Sequence, residues 1–190
     1  MQIEVTKKLF TVDEYYQMAK AGIFGPEDRV ELIDGEVIQM CPIGDRHAGS
    51  VNRINRLFVT SFRDGAVISV QNPLQLSNYT EPEPDVVVLK PRADDYAGKK
   101  VRAEDALLVV EVADTTLRYD RQIKVPRYAA AGVPEVWIEN LAADELLVYR
   151  NPGAKAYSIS LTLHRTDTIS PSVFPDIVFK VDEILGPPAE

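Results

Sequence analysis

A glutamate interrupts a run that otherwise reads as a strand buried on both faces. Residues 106–113 are ALLVVEVA, with five apolar side chains leading into Glu111 and the apolar pattern resuming at Val112. Continuous runs of this kind belong to sheets covered by other layers rather than to sheets with one wet face. An ionised, unpaired carboxylate in such a strand carries a penalty on the order of several kcal/mol. Glu111 must therefore be protonated, paired with a cation, or coordinating a metal, and the choice among these largely decides what the chain does.

The surrounding pattern sets the frame for that choice. Thr11 and Glu14 have capping-box spacing, which predicts a helix from Val12 to about Ala21, ending at Gly22. RVELI and EVIQM flank Asp34-Gly35, a strong hairpin signal. Val51, Ile54, Leu57, Phe58 and Phe62 recur at helical spacing within 46–63. Strands are predicted at AVISV (66–70), PDVVVL (84–89), ALLVVEV (106–112) and EVWIENL (135–141), with a second helical segment within 119–131 that stops at Gly132. LLVYR and AYSISLT flank Asn151-Pro152-Gly153 and form a final hairpin, and the tail 186–190 is expected to be loose. The order is hairpin, helix, three strands, helix, strand, hairpin. With 190 residues and no repeat or low-complexity linker, the expectation is one α/β (α+β) domain over 1–190, its core at about 29–150, with helices on both sides of the sheet.

Composition narrows the function. No stretch approaches the roughly 20 apolar residues of a membrane span, and the N-terminal segment lacks the apolar core of a secretory signal. The single cysteine, Cys41, rules out an internal disulfide and fits a cytoplasmic location. Two histidines and one cysteine are too few for an ordinary zinc site. The net charge of −8 argues against a nucleic-acid partner, but its distribution argues back. Windows 46–63, 90–102 and 118–127 hold 13 of the 21 lysines and arginines against three acids, a net +10 there and −18 elsewhere. Solvated faces of amphipathic elements explain the same windows.

Chemistry concentrates where two strands each carry one acid. Alternation places Asp85 on the face of Val87 and Leu89, and Glu111 on the face of Leu107 and Val109. If the two strands are neighbours, the acids converge near one end of the sheet. Crowded carboxylates repel unless a cation lies between them. Magnesium or manganese, held by two carboxylates and a backbone carbonyl, would activate a water and neutralise charge on a phosphodiester. Lys124, thirteen residues after Glu111, is placed to assist, unless it merely pairs with Asp120 on a helix surface. Pro126 either kinks that helix or begins it.

The ordered series ELIDG, PDVVVL, LLVVEVADTTLRYDR, Lys124 and RYAAAGVPEVWIENL resembles the bacterial putative restriction endonuclease family of the PD-(D/E)xK nuclease superfamily, from about Phe10 to the C-terminal strand. The resemblance implies a restriction-endonuclease-like αβββαβ core, a mixed central sheet flanked by helices, with the first helix and hairpin and the last hairpin as additions. It implies Asp85 and Glu111 as ligands of magnesium or manganese, Lys124 as the catalytic lysine, Glu31 near the site and His47 as an auxiliary residue at the head of the first core helix. The superfamily pattern puts the lysine two residues after the glutamate, where this chain has Ala113; Lys124 is the matching position in this family. FPDIVF (174–179) repeats the proline-aspartate signature, but no strand with an embedded glutamate follows it.

The expected function is a metal-dependent endonuclease that hydrolyses phosphodiester bonds in DNA, with Asp85, Glu111, Lys124 and Glu31 as catalytic residues, Glu31 assisting through a water or a second ion. Arg53, Arg56, Arg118 and Arg121 are candidate phosphate contacts, and a two-fold homodimer is favoured if both strands of a duplex are cut. The alternative, motivated by Ala113, is a catalytically weak or inactive nuclease-fold protein that binds nucleic acid or a protein partner. A purely structural network of Glu111 with Arg118 or Lys124 is a third reading. Tyr119 and Tyr128 are most simply explained as packing.

Overall fold

The computed structural model describes residues 6–25 and 27–188, so the readings made on the first five residues and on 189–190 lie outside the described residues. Thr11 opens the first helix through the predicted capping box: its hydroxyl accepts from the Glu14 amide, and its own amide donates to the Glu14 carboxylate at 2.8 Å. Helix α1 (Val12–Lys20) ends where Gly22 takes φ 75°. Strands β1 (Val30–Ile33) and β2 (Glu36–Gln39) pair antiparallel across Asp34-Gly35, both with positive φ. A Cβ on Gly35 would lie 2.7 Å from that of Leu9, so this turn admits only glycine.

Helix α2 (Asp45–Phe62) buries Val51, Ile54, Phe58 and Phe62 along one stripe. It is followed by β3 (Val67–Val70), β4 (Val86–Leu89) and β5 (Ala106–Ala113). The next helical stretch comprises α3 (Leu117–Tyr119), a π turn (Asp120–Lys124) and α4 (Val125–Ala130). Pro126 explains the wide turn: it has no N–H to give Gln122, and its ring crowds that carbonyl in a regular helix. Both readings of the proline are thus partly met, since it distorts the preceding turn and stands at the start of α4.

Strands β6 (Glu135–Asn140), β7 (Glu145–Pro152) and β8 (Tyr157–Leu163) complete a six-stranded mixed sheet in the order β3-β4-β5-β6-β7-β8. Only the β5–β6 pair is parallel, because only there does a helical crossover intervene. Elements α2 through β6 form the expected αβββαβ core.

Two apolar layers cover the sheet. One packs α2 with Val86, Val88, Leu108, Val110 and Trp137; the other packs α4 with Val87, Leu89, Val109 and Ile138. Strand alternation correctly groups Glu111 with Val109 but not with Leu107. A bulge between Val88 and Leu89 shifts the β4–β5 register, and Leu107 joins the α2 layer. The core also runs past residue 150, correcting the expected boundary: β9 (Thr168–Ile169), β10 (Phe179–Lys180) and α5 (Val181–Leu185) bury Ile169, Phe179, Val181 and Ile184 against Phe58 and Trp137. Gly186, expected in a loose tail, is fixed by the Arg165 guanidinium on its carbonyl. No helix among the described residues is long and apolar enough to cross a membrane.

Candidate active site

Antiparallel pairing brings the two predicted acids together. Val86 stands opposite Val110, so the next residues outward, Asp85 and Glu111, face one another at the C-terminal end of β5. The Asp85 amide lies 3.4 Å from Glu111 Oε2, and the Val112 amide donates to Asp85 Oδ2 at 2.8 Å. Both side chains are buried. They form the floor of a cleft of about 480 Å³ whose lip is the apolar β2–α2 connection around Met40 and Ile43.

Three further elements bring His47, Glu31 and Lys124 to the same place. The first turn of α2 places His47 Nε2 3.0 Å from Asp85 Oδ2, so His47 holds the acid rather than capping its helix. Strand β1 carries Glu31, which is buried and lies 3.2 Å from the Lys124 ammonium. That lysine, on the π turn, donates to Glu111 Oε1 at 3.3 Å. It is neither exposed nor in a simple surface pair with Asp120, whose Oδ2 accepts from Thr116 at 2.7 Å. The wide turn presents both Asp120 and Lys124 to the sheet.

Several residues of the site were missed by sequence reasoning. Tyr128 donates to Glu111 Oε1 at 2.6 Å and is no mere packing residue. The signal existed: Asp120, Lys124 and Tyr128 recur every four residues, a spacing that lines one helix face. Gln71 had no such signal. It takes φ 49°, receives no help from a glycine, and donates its amide side chain to Asp85 Oδ1 at 3.2 Å while its backbone N–H binds the Asp85 carbonyl. The Glu83 amide steadies Glu31 Oε2 at 3.2 Å. The Tyr119 hydroxyl is buried in the cleft wall on the side of Glu31.

Arginines divide differently from the expectation. Arg53 is withdrawn from the phosphate-binding set: it is partly buried, with one guanidinium nitrogen 2.6 Å from Glu139 and another donating to the Ile184 carbonyl. Arg56, Arg118 and Arg121 are exposed, and Arg118 donates to Gln122 rather than to Glu111. Asp176 of the repeated proline-aspartate signature is exposed and lies outside the cleft lining.

The electrostatics are lopsided. Burial pushes the Glu111 carboxyl up to about 8 against the pull of Lys124, and burial pushes Asp120 up to about 6. Burial disfavours the Lys124 ammonium, but Glu111, Glu31, Asp120 and Asp85 outweigh it and hold the lysine above its ordinary value. Asp85 is lowered: burial opposes ionisation, but the His47 contact and the Val112 and Gln71 donors overcome it. Four carboxylates thus share one lysine and one histidine.

The donor set suits a hard cation. Asp85 anchors Oδ2 and Glu111 anchors Oε1, which leaves each acid a second oxygen bearing a single long hydrogen bond. Among the described residues no three His, Cys, Asp or Glu side chains form a metal cluster by themselves. Backbone oxygens and water would complete the shell, as magnesium prefers.

Known proteins bear on this geometry. The sequence model of a family described as "Uma2: Putative restriction endonuclease" matches residues 12–182. The crystal structure of "a putative nuclease" from Anabaena variabilis superposes with a TM-score of 0.74 at 14% identity, covering 93% of this chain and 97% of that one. At that identity the likeness shows a shared fold. No curated protein matches the chain in sequence.

Proposed function

The chain belongs to the family described as Uma2, putative restriction endonuclease, and we propose that it is a divalent-metal-dependent endonuclease hydrolysing phosphodiester bonds in DNA. The observation that carries this reading is the unbalanced acid cluster at the floor of an open cleft. Four buried carboxylates around one lysine are costly in the absence of a further cation. Asp85 and Glu111 would hold magnesium or manganese, through the oxygens not already anchored. Bound there, such an ion supplies a more acidic water and neutralises charge on the phosphodiester.

The protein's own groups do the remaining work. Lys124 stays charged among its carboxylates and stands beside Glu111, where it stabilises negative charge developing on the phosphate. Glu31 fixes Lys124 from the other side, and Tyr128 fixes the Glu111 carboxylate, so both act as positioning residues. His47 and Gln71 hold Asp85 in place. Ala113, where the superfamily has lysine, is packed in the core, and Lys124 brings its ammonium within 3.3 Å of the strand glutamate from the neighbouring helix. That position supports the cutting reading over the non-cutting alternative. Exposed Arg56, Arg118 and Arg121 would contact phosphates and make binding weaken as salt rises.

Plasmid and single-stranded DNA incubated with the pure protein should be cut in magnesium or manganese and spared in chelator. Glu111→Gln and Asp85→Asn should each lower cleavage by about a hundredfold or more, the usual scale for removing one electrostatic contributor. Undiminished cutting by Glu111→Gln would remove the proposed centre.

A further inference from the structure

A second buried acid lies outside the cluster and has no explanation in it. Glu81 follows Thr80 in the segment that bridges to Leu32, on the far side of β1 from the hairpin partner β2. Its side chain is 2% exposed, and its Oε2 atom is buried with no hydrogen-bond partner among the described residues. Lys100 approaches the other oxygen only to 4.0 Å and is drawn as well toward Asp13 at 3.8 Å. Burial raises the Glu81 carboxyl, with the neighbouring Tyr16 hydroxyl and Lys100 opposing. A buried acceptor atom left unmet is costly, so Oε2 stands open to a donor beyond the hydrogen bond that the Tyr16 hydroxyl brings to this carboxylate.

The space beside it has the shape of an answer. Glu81 lines a cavity of about 570 Å³, separate from the metal cleft, between β3 and the 95–101 loop. Val67, Leu89 and Val101 line it with apolar surface; Tyr16 and Tyr96 bring aromatic rings, Asn72 offers a second polar contact, and Lys99 and Lys100 bring two positive charges against the one negative charge of Asp95. Lys100 already stands 4.3 Å over the Tyr16 ring, which keeps its ammonium at this wall. A buried carboxylate acceptor, flat apolar and aromatic walls and two lysines together match a nucleotide: an amino group on the base for Glu81, the ring for the apolar walls, and phosphate for the lysines.

We propose that this cavity binds a nucleobase bearing an exocyclic amine, with Glu81 accepting from that amine and Lys99 and Lys100 meeting its phosphate. The choice of a nucleobase over other amines rests on the nuclease reading; the demand for a donor does not. Glu81 and Asp85 are four residues apart, a span of at most about 14 Å. The same chemistry can therefore be offered by a base of the strand being cut or by a free nucleotide.

Calorimetric titration of the full chain in chelator, where cutting is off, tests the proposal. The probes are the four 5′-deoxymononucleotides and single-stranded dA, dC and dT homo-oligonucleotides. Thymidylate, which lacks the amine, should bind at least tenfold more weakly than the best of the other three, and Glu81→Gln should remove that preference. Preference among mononucleotides identifies a free nucleotide as sufficient; preference confined to the oligonucleotides identifies a strand subsite. Either outcome supports the site. Equal binding of thymidylate, no binding of any probe, or a preference unchanged in a natively folded Glu81→Gln overturns it. Lys100→Ala serves as the second variant and should weaken every preferred probe severalfold without altering the melting temperature by more than a few degrees. Glu111→Gln should leave the discrimination against thymidylate unchanged, so failure of the metal centre and failure of this cavity give different results.

Discussion

Two glutamates on neighbouring strands are equally buried and oppositely treated. Glu135 on β6 receives Trp137 Nε1 at 2.6 Å, Arg150 Nε at 2.9 Å and the Ser172 amide at 2.7 Å, so one acid has its own guanidinium and a donor on each oxygen. Glu111 on β5 has a tyrosine and a share in a single lysine that Glu31 also claims. The first arrangement is complete, and the second is short of positive charge. Burial of an acid in a strand therefore does not mark a site; burial with too few cations does. Glu139, at the other end of β6, lies between these cases: Arg53 pairs with it, but Oε2 has no partner and burial lifts it to about 7.

The largest expected effect separates the two residues by what is lost. Glu135→Gln leaves Arg150 facing a neutral partner in a tight network and should lower stability by about 3–5 kcal/mol, the range for breaking a buried pair. Cleavage per folded molecule should persist. Glu111→Gln should do the reverse, abolishing cleavage while the metal-free protein keeps or raises its melting temperature. Urea unfolding and a plasmid assay on both variants read this directly. If Glu111→Gln proves as destabilising as Glu135→Gln, the cluster around Lys124 is a structural network and the comparison fails.

A pH series sharpens the same contrast. The folded Glu111 carboxyl lies at about 8, above its ordinary value near 4.5. Between those limits the unfolded chain has lost a proton that the folded chain retains, so stability falls as pH rises through that window. The difference in stability between metal-free wild type and Glu111→Gln should therefore widen in favour of the variant from about pH 5 to pH 8. Saturating magnesium should reverse the trend for the wild type, because the ion favours the ionised acid. A difference that is flat with pH would show that Glu111 is no more strained than Glu135.

What the sequence disclosed follows the same physical division. Local signals carried the elements: Thr11 with Glu14, Asp34-Gly35, and the stripe from Val51 to Phe62 all form what their spacing predicts. The ordered motifs carried the fold class and the convergence of Asp85 with Glu111, since cross-strand pairing follows once β4 and β5 are neighbours. What could not be read depends on three-dimensional accounting. EVWIEN bears the same buried-acid signature as LVVEVA, and only the positions of Arg150 and Arg53 show that its acids are already paired. The β4–β5 bulge that moves Leu107, the π turn that turns Asp120 inward and the strained backbone of Gln71 leave no trace in periodicity. Residues 169–185 join the core through scattered single side chains rather than a periodic run, so periodicity alone ends the core near residue 150.

The smallest effects test the same distinction among the arginines. Arg56, Arg118 and Arg121 are exposed and engage no carboxylate among the described residues, whereas Arg53 is consumed by Glu139 and the Ile184 carbonyl. An exposed arginine that touches phosphate releases about one counterion, so alanine at Arg56, Arg118 or Arg121 should each lower the slope of log affinity against log salt by about 1. Stability should move by no more than about 0.5 kcal/mol in each case. Arg53→Ala should leave the slope alone and instead destabilise the fold, since it abandons Glu139 in the core. Filter binding or anisotropy with a catalytically silent Glu111→Gln background, run from low to moderate salt, resolves differences of that size. A slope change at Arg53 equal to that at Arg121 would mean that the buried pair opens to receive DNA, and the line drawn between paired and unpaired charges would then have to move.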